Sequence, residues 1–377
     1  MFLKEMLCMS MVLLLGVSEV VASGQGDEMR GNQKLRNQEE SSIDNLEKMY
    51  GALDSDEEEN QEISITISAV GDCTFGSDRS SPSSVNFYAV KKKQKADYFF
   101  KKVKKVFAAD DLTIANLEGT LTKRGSRQPK KYAFRGDPSY VNILKKGKIE
   151  AVSFANNHCR DFGQVSYTDT RKTLEKAGIK YASYSKVGIY KVKGKRIGMI
   201  AVCGLEGLSG SEALVKSGIK KLKKKKADLI IVSMHAGIEY LKSADSTQKS
   251  LSHYAIDRGA DLVLGHHPHI IQGIEKYKGK YIAYSLGNFC FGGNTNPRDK
   301  DTMIYQQTFY FKGKKLKKKT EVKLIPCSLS SKSYINDYQP KIAGKEQAAR
   351  ILSKMKSYSL TVKLKKGKGK IRNIICK

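Results

Sequence analysis

From residue 63 onward one texture repeats. A short Val-, Ile- and Leu-rich run is followed by a polar or glycine-containing cluster. The runs are ISITISAV (63–70), LTIANL (112–117), AVSFA (151–155), RIGMIAV (196–202), DLIIVSM (228–234), DLVLG (261–265) and YIAYSL (281–286). Runs this short and this apolar predict strands covered on both faces. Helical patterns lie between them. Tyr98, Phe99, Val103, Val106 and Phe107 mark one helix face, and residues 169–177 and 247–258 mark two more, stopped by Gly178 and Gly259. Strands alternating with helices predict an α/β body. Past Phe291 the pattern alternates and is punctuated by lysine (MIYQQTFYFKGKKLKKKTEVKLIP), which predicts C-terminal antiparallel hairpins at a sheet edge. A last helix is predicted over 345–357, ahead of a basic Gly/Lys tail.

The residues before 63 read differently. Lys4 precedes an apolar stretch, Met9 to Val17, and the small residues Val21, Ala22 and Ser23 follow. This predicts a signal peptide or an N-terminal anchor over 1–23, and hence an exported, extracytoplasmic protein, secreted or membrane-anchored at the cell surface. Residues 24–62 hold 12 acids against 4 bases and sustain no apolar period. They predict an acidic disordered linker, with a short helix around Ile43–Leu53 as the alternative. A body over 63–330 and a basic extension over 331–377 complete the organisation.

Charge sharpens the picture. The chain carries a formal net charge of +30, and because everything before residue 63 is net negative, the body holds about +39. A body that basic suits an anionic partner. The plain alternative is a lysine-rich surface, since runs such as 221–226 and 314–319 are spread along the chain. No aromatic–basic recognition motif is present, and with an export signal this argues against nucleic acid. Of seven cysteines, six lie beyond the signal segment, and none has CxxC spacing. Free, buried thiols are therefore expected.

The candidate chemistry sits where the apolar runs end. The first run leads into Gly71-Asp72, the second into Asn116-Leu117-Glu118, and the third into Asn156-Asn157-His158 with Asp161 following. The fifth leads into His235 with Glu239 and Tyr240, the sixth into His266-His267-Pro268-His269, and the seventh into Asn288. Carboxyl ends of strands in α/β sheets converge on one edge, where ligands bind. Five of the six histidines fall at these ends. Imidazole with Asp, Glu and Asn suits a divalent Mn, Zn or Fe ion rather than calcium. For three residues a plain role stands beside a binding one. Arg135 is either a fork for an anionic group or a surface ion pair, Glu239 either lines the pocket or starts a helix, and Asn288 either orients a ligand-bearing loop or makes a turn.

The segments GDCTFG (71–76), ANLEGTLT (115–122), FRGDP (134–138), FANNHCRDFG (154–163), SMHAGIEY (233–240), GADLVLGHHPHIIQ (259–272) and YSLGNFCFG (284–292) resemble, in order, the motifs of the CapA family of poly-γ-glutamate capsule biosynthesis proteins. The resemblance implies a fold similar to calcineurin-like metallophosphatases, a β-sandwich flanked by helices. It implies metal ligation by Asp72, Glu118, Asn157, His235, His267 and His269, with His266 as an alternative for the first position of the G-H-x-H pattern. It implies a catalytic His158 oriented by Asp161, and substrate contacts from Asn116, Arg135, Glu239, His266 and Asn288. Two departures stand out. Thr74 occupies the His position of the phosphatase D-x-H motif, and the pair Asn116/Glu118 replaces a bridging Asp. Both remove ligand charge or number, which favours one metal over two, or substrate binding without hydrolysis. The expected partners are an anionic polymer such as poly-γ-glutamate and membrane proteins of capsule synthesis. A metal-dependent phosphoesterase or other hydrolase of the cell envelope is the alternative.

Overall fold

Each of the seven apolar runs becomes a strand. The computed structural model describes residues 41–44, 62–78, 82, 84–359, 361–367 and 374–376. The expected signal segment, nearly all of the acidic linker and the tail at 368–373 lie outside the described residues. The chain divides into two units, Met1–Asn60 and Gln61–Lys377. In the first, residues 41–44 form a helical turn. All that follows concerns the second.

One sheet contains β1 (Glu62–Thr74), β2 (Leu112–Leu117), β5 (Ala151–Ser153) and β6 (Lys180–Ala182) as parallel neighbours. On the other side of β1 run the antiparallel strands β14 (Asp301–Lys312), β15 (Lys315–Ser328), β18 (Ile374–Cys376) and β17 (Leu364–Lys366). The short strands β13 (Asn288–Phe291) and β16 (Lys341–Ile342) pair with β1 and β15. A second sheet has the order β11 (Ile274–Tyr277), β12 (Lys280–Ala283), β10 (Leu262–His266), β9 (Leu229–His235), β8 (Lys195–Cys203), β7 (Gly188–Val192). β3 (Thr120–Leu121) and β4 (Arg135–Gly136) form a separate ladder.

The two sheets face each other across one apolar layer. Ile65 and Ile67 of β1, Ile114 of β2 and Tyr305 of β14 pack there with Met199 of β8, Ile231 of β9 and Leu264 of β10. The outer face of the first sheet is covered by α1 (Phe87–Lys93), α2 (Lys104–Phe107), α3 (Val141–Gly147) and α4 (Gln164–Lys176). α5 (Leu208–Lys224) and α6 (Ser246–Arg258) cover the second. α7 (Lys345–Tyr358) sends Ile351 and Met355 into the central layer. The architecture is a helix-flanked β-sandwich, as the resemblance implied. The six described cysteines beyond Cys8 are free and buried.

Two local expectations differ from the structure. The hairpin β14–β15 is at an edge only in part: β14 pairs with β1 along 62–69, β18 covers β15 at 322–324 and β16 covers it at 327–328, so among the described residues 315–321 have no outer neighbour. The lysines at 312–319 gather at the hairpin turn and on this uncovered stretch, where they are exposed or half-buried. The 98–107 stretch forms successive turns before the four-residue α2. Adjacent Phe99 and Phe100 are both fully buried, whereas a regular helix would splay neighbouring side chains by about 100°.

The amino ends of the first sheet's strands hold carboxylates. Asp111 accepts from Thr66 N and pairs with Lys193, and Glu150 accepts from Thr113 N. Asp110 accepts from the Thr113 hydroxyl, 2.8 Å. Burial pushes the Asp110 carboxyl up to about 7 against the hydroxyls of Ser68 and Thr113, with Glu150 and Asp111 adding repulsion; Tyr190 also faces it. A raised folded-state value means that stability is lost as pH climbs from the unfolded value near 4 through about 7. Allowing for partial exposure, the loss is about 1–2 kcal/mol. Asp110→Asn should flatten that slope, so the variant gains on the parent at pH 8 but not at pH 4 in urea unfolding. Equal gain at both values would refute the assignment.

Candidate functional site

Strand register levels the polar residues before any side chain is considered. In the first sheet Asp72 lies opposite Asn116 on one side and Asn288 on the other, and Asn116 lies opposite Ser153. In the second, Cys203, His235 and His266 share one row. Apart from Asn288, which opens β13, both rows sit at the carboxyl ends of parallel strands. Two glycines let the sheets close there. A Cβ on Gly71 would stand 1.7 Å from the Gly287 carbonyl oxygen, and one on Gly265 would stand 2.0 Å from that of Tyr284. The 284–287 segment is thus clamped between the sheets, with Asp72 N donating to Gly287 O at 2.9 Å.

A chain of hydrogen bonds orients the core of the cluster. Asn156 Oδ1 accepts from His158 N, so its Nδ2 donates to Leu117 O, 2.9 Å. Asn116 Oδ1 accepts from the Ser153 hydroxyl, 2.9 Å, and faces Asn156 Nδ2. Asn116 Nδ2 then donates to Asp72 Oδ1, 2.8 Å, and to His235 Nδ1, 3.2 Å. His235 therefore accepts at Nδ1 and turns Nε2 toward Glu118 Oε1, 3.5 Å away. On the other side His269 Nδ1 donates to Asn288 Oδ1, 2.9 Å, and lies 3.3 Å from Asp72 Oδ2. His266 Nδ1 lies 3.5 Å from Asp72 Oδ1. The His267 ring packs between those of His235 and His269, at centroid distances of 4.8 and 5.9 Å.

Backbone strain marks the same place. His267, His269 and Tyr240 adopt positive φ (+100°, +60° and +62°), a region that side chains other than glycine enter at a cost held by surrounding structure.

Among the described residues two groups of side chains could hold a cation. In each, one ligand atom per residue lies within 4.8 Å of the others. They are Asp72, Glu118 and His269, all buried, and Glu239, His267 and His269, with Glu239 exposed. Buried polar atoms without a hydrogen-bond partner concentrate here: Asp72 Oδ2, both Glu118 oxygens, Asn157 Oδ1, His235 Nε2, both His266 nitrogens and His267 Nδ1. Such atoms are ordinarily satisfied, so the donor set fits a divalent ion bound by oxygen and imidazole nitrogen. Thr74 Oγ1 is also buried and unpartnered, at the position where the phosphatase pattern has a histidine.

The electrostatics agree. Burial would raise Asp72, but the His269 imidazole 3.3 Å from its Oδ2 and the charges of His266 and His235 hold it well below the usual carboxylate range. Burial, then Asp72, pushes Glu118 well up. Burial opposes protonation of His269, yet Glu118 and Asp72 raise it to about 10. Burial lowers His266 to about 4, and burial with the His269 charge does the same for His267. His235 falls well below its ordinary value, chiefly through burial. These directions describe a pocket that draws positive charge toward Asp72 and Glu118, the two carboxylates of the first ligand group.

Beside this cluster His158 Nδ1 hydrogen-bonds Asp161 Oδ2, 2.7 Å, and its ring packs on Phe134 at 4.4 Å. Asp161 also accepts from Phe134 N, 2.6 Å, and from Lys130 Nζ, 2.7 Å. Lys130 bonds Asn157 O as well, 2.7 Å. Sequence reasoning missed Lys130, which follows no strand; a basic residue shortly before FRG was its one trace. Arg135 stays outside the cluster, with its guanidinium 4.1 Å over the Phe162 ring and one N–H on Gly125 O. His253, the histidine not at a strand end, stacks on Tyr277 and bonds Glu275.

Residues 66–293 match the family model described as bacterial capsule synthesis protein PGA_cap. The chain is 31% identical over 235 residues to the PGA biosynthesis protein CapA of Bacillus subtilis (strain 168), covering 56% of this chain and 61% of that protein. It is 30% identical over 274 residues to the capsule biosynthesis protein CapA of Bacillus anthracis, covering 66% and 64%. A probable polyglutamine synthesis accessory protein of Mycobacterium tuberculosis is 28% identical over 236 residues, covering 52% and 61%. The chain thus spans about three-fifths of the length of the curated relatives it matches.

Proposed function

The chain belongs to the family of the bacterial capsule synthesis protein PGA_cap, whose model covers residues 66–293, and on that premise we propose that it acts in the synthesis, export or anchoring of an anionic polymer of the poly-γ-glutamate type. The observation that carries this reading is the set of buried, unpartnered ligand atoms at the carboxyl strand ends. It supports a cleft that takes a cation and, through it, carboxylates.

A divalent ion there would be held by Asp72, Glu118 and His269, with His235 and His266 alongside. It would supply Lewis-acid charge to an anionic oxygen of the ligand. The protein's own part is orientation. Asn288 holds His269, Asn116 holds both Asp72 and His235, and the exposed Tyr240 and Glu239 rim the opening. The Lys4/Met9–Val17/Ala22 pattern supports action outside the cytoplasm. Among the described residues no helix is long and apolar enough to cross a membrane; an anchor would reside in the first 23 residues. Membrane proteins of capsule synthesis are the partners this implies.

One observation favours a second reading, hydrolysis of a phosphoester in the envelope: the His158–Asp161 pair. Burial lowers His158 against the opposing hydrogen bond and charge of Asp161; the neutral ring that burial favours would carry its proton on Nδ1 toward Asp161 and a lone pair on Nε2. In that form Nε2 could take up a proton, and it would have to do so before protonating a leaving group. The deciding experiment measures poly-γ-glutamate binding by the metal-loaded chain alongside turnover of phosphomonoester and phosphodiester substrates. Binding without turnover supports the first reading. Turnover lost in His158→Ala, with no polymer binding at low ionic strength, replaces it with the second.

A further inference from the structure

The loop after β13, the end of β15 and the first half of α7 enclose an open cleft of about 610 Å³. It lies beyond the strand-end cluster, at the other end of the 291–300 loop. At the loop's start the Phe291 ring packs 5.1 Å from His269, and at its end Arg298, Asp299 and Lys300 line the cleft. Seven residues of extended chain limit the separation to about 25 Å.

The cleft is cationic in an organised way. Its walls carry Arg298, Lys300, Lys332, Lys341, Arg350 and Lys354 against Asp299 and Glu346. Behind them Asp301, its side chain 1% exposed, takes both arms of Arg350 (3.0 and 2.6 Å), Lys354 (2.7 Å) and Gln347 (2.9 Å). Asp299 takes Lys354 as well, 2.8 Å. Arg350 and Lys354 are therefore compensated. The other four cations are not. Lys300 is held by Asn296 Oδ1 and Pro297 O, and Lys341 by Ser331 O; neutral acceptors fix these ammonium groups without cancelling their charge. Among the described residues Arg298 has no carboxylate partner, and the Lys332 ammonium lies over the Tyr334 ring. The 14-residue α7 follows Gly344, which supplies no side-chain cap, and Glu346 and Gln347 of its first turn line the cleft. Glu346 offsets one charge. The volume is that of a pocket for a ligand of several groups rather than one ion.

We propose that this cleft is a second anion-binding site, which holds successive carboxylates of an acidic polymer whose neighbouring stretch reaches the strand-end cluster. The assignment rests on the polyglutamate reading above. Arg298 and Lys332 supply the unspent donors, and Lys300 and Lys341 supply fixed charge beneath them.

Arg298→Glu/Lys332→Glu in the full chain tests this, since neither side chain supports the fold. The control is Lys216→Glu/Lys220→Glu, an equal charge change on exposed α5 over the other sheet. The probes are poly-γ-glutamate and, separately, polyphosphate, each titrated at low and physiological salt. The cleft variant should bind poly-γ-glutamate at least tenfold more weakly with a shallower salt dependence, and the control should stay within twofold of the parent. Equal loss in both variants means diffuse attraction and overturns the site. A loss confined to polyphosphate overturns the carboxylate assignment. Undiminished binding by the cleft variant overturns this inference alone, whereas no binding by the parent overturns the polyglutamate reading with it.

Discussion

His269→Ala is expected to strip divalent metal from the protein, with the affinity for Mn²⁺ or Zn²⁺ falling more than 100-fold, beyond the roughly 10–100-fold cost of losing an outer partner. The reason is positional. His269 belongs to both ligand groups, Asp72/Glu118/His269 and Glu239/His267/His269, whereas every other ligand belongs to one. Removing it takes a nitrogen from each group and leaves Asp72 without the imidazole 3.3 Å from its Oδ2. Asp72→Asn and Glu239→Gln should each weaken one group, so their different effects show which one holds the ion. Asn288→Ala should fall in the 10–100-fold range, because Asn288 fixes His269 through Nδ1, 2.9 Å, without facing the ion. The measurement is metal content after dialysis, with direct titration of the apo chain. Retention of stoichiometric metal by His269→Ala would remove the shared-ligand model.

The same geometry explains what the sequence made legible. The seven apolar runs were read as strands because burial on both faces erases alternation, and the sandwich supplies both covers, the facing sheet and the outer helices. The cluster was legible because a parallel strand delivers its last residues to one edge, so Asp72, Asn116, His235 and His266 could be located without knowing which strands were neighbours. Arg135 shows the limit. It follows the same rule of a polar residue in a motif, but it lies on the small β3–β4 ladder, outside both sheets, and stacks on Phe162. The turns at 98–107 were hidden because apolar spacing reports burial and not the hydrogen bonds beneath it. The basic cleft was hidden more deeply. Arg298, Lys332 and Arg350 are scattered among 68 lysines and arginines, and their meeting depends on a loop, a strand end and a helix that pattern alone cannot bring together.

Lys130 and Asp161 illustrate the remaining kind of hidden residue and lead to a large stability effect. Asp161 has no exposed side-chain surface and accepts from Lys130 Nζ, His158 Nδ1 and Phe134 N. Its backbone oxygen also takes Gln128 N, 2.9 Å. It fastens the 128–134 segment onto the loop that carries Asn157 and His158. Asp161→Ala would leave a partly buried ammonium, an imidazole and a backbone N–H without their acceptor. Removing one partner of a buried pair in this way costs roughly 3–5 kcal/mol. Asp161→Asn, which still accepts from Phe134 N but cannot neutralise Lys130, should fall between Asp161→Ala and the parent. Lys130→Met leaves the buried Asp161 carboxylate with Phe134 N and His158 Nδ1 still donating to it, so it should cost less than Asp161→Ala, which removes the acceptor of all three donors. The double variant Lys130→Met/Asp161→Ala should be less unstable than the sum of the two, with a coupling of about 1 kcal/mol or more, as expected for residues in one network. Urea unfolding followed at constant slope measures all four, and a midpoint for Asp161→Ala indistinguishable from the parent would show that the segment is held by packing of Phe134 on His158 instead.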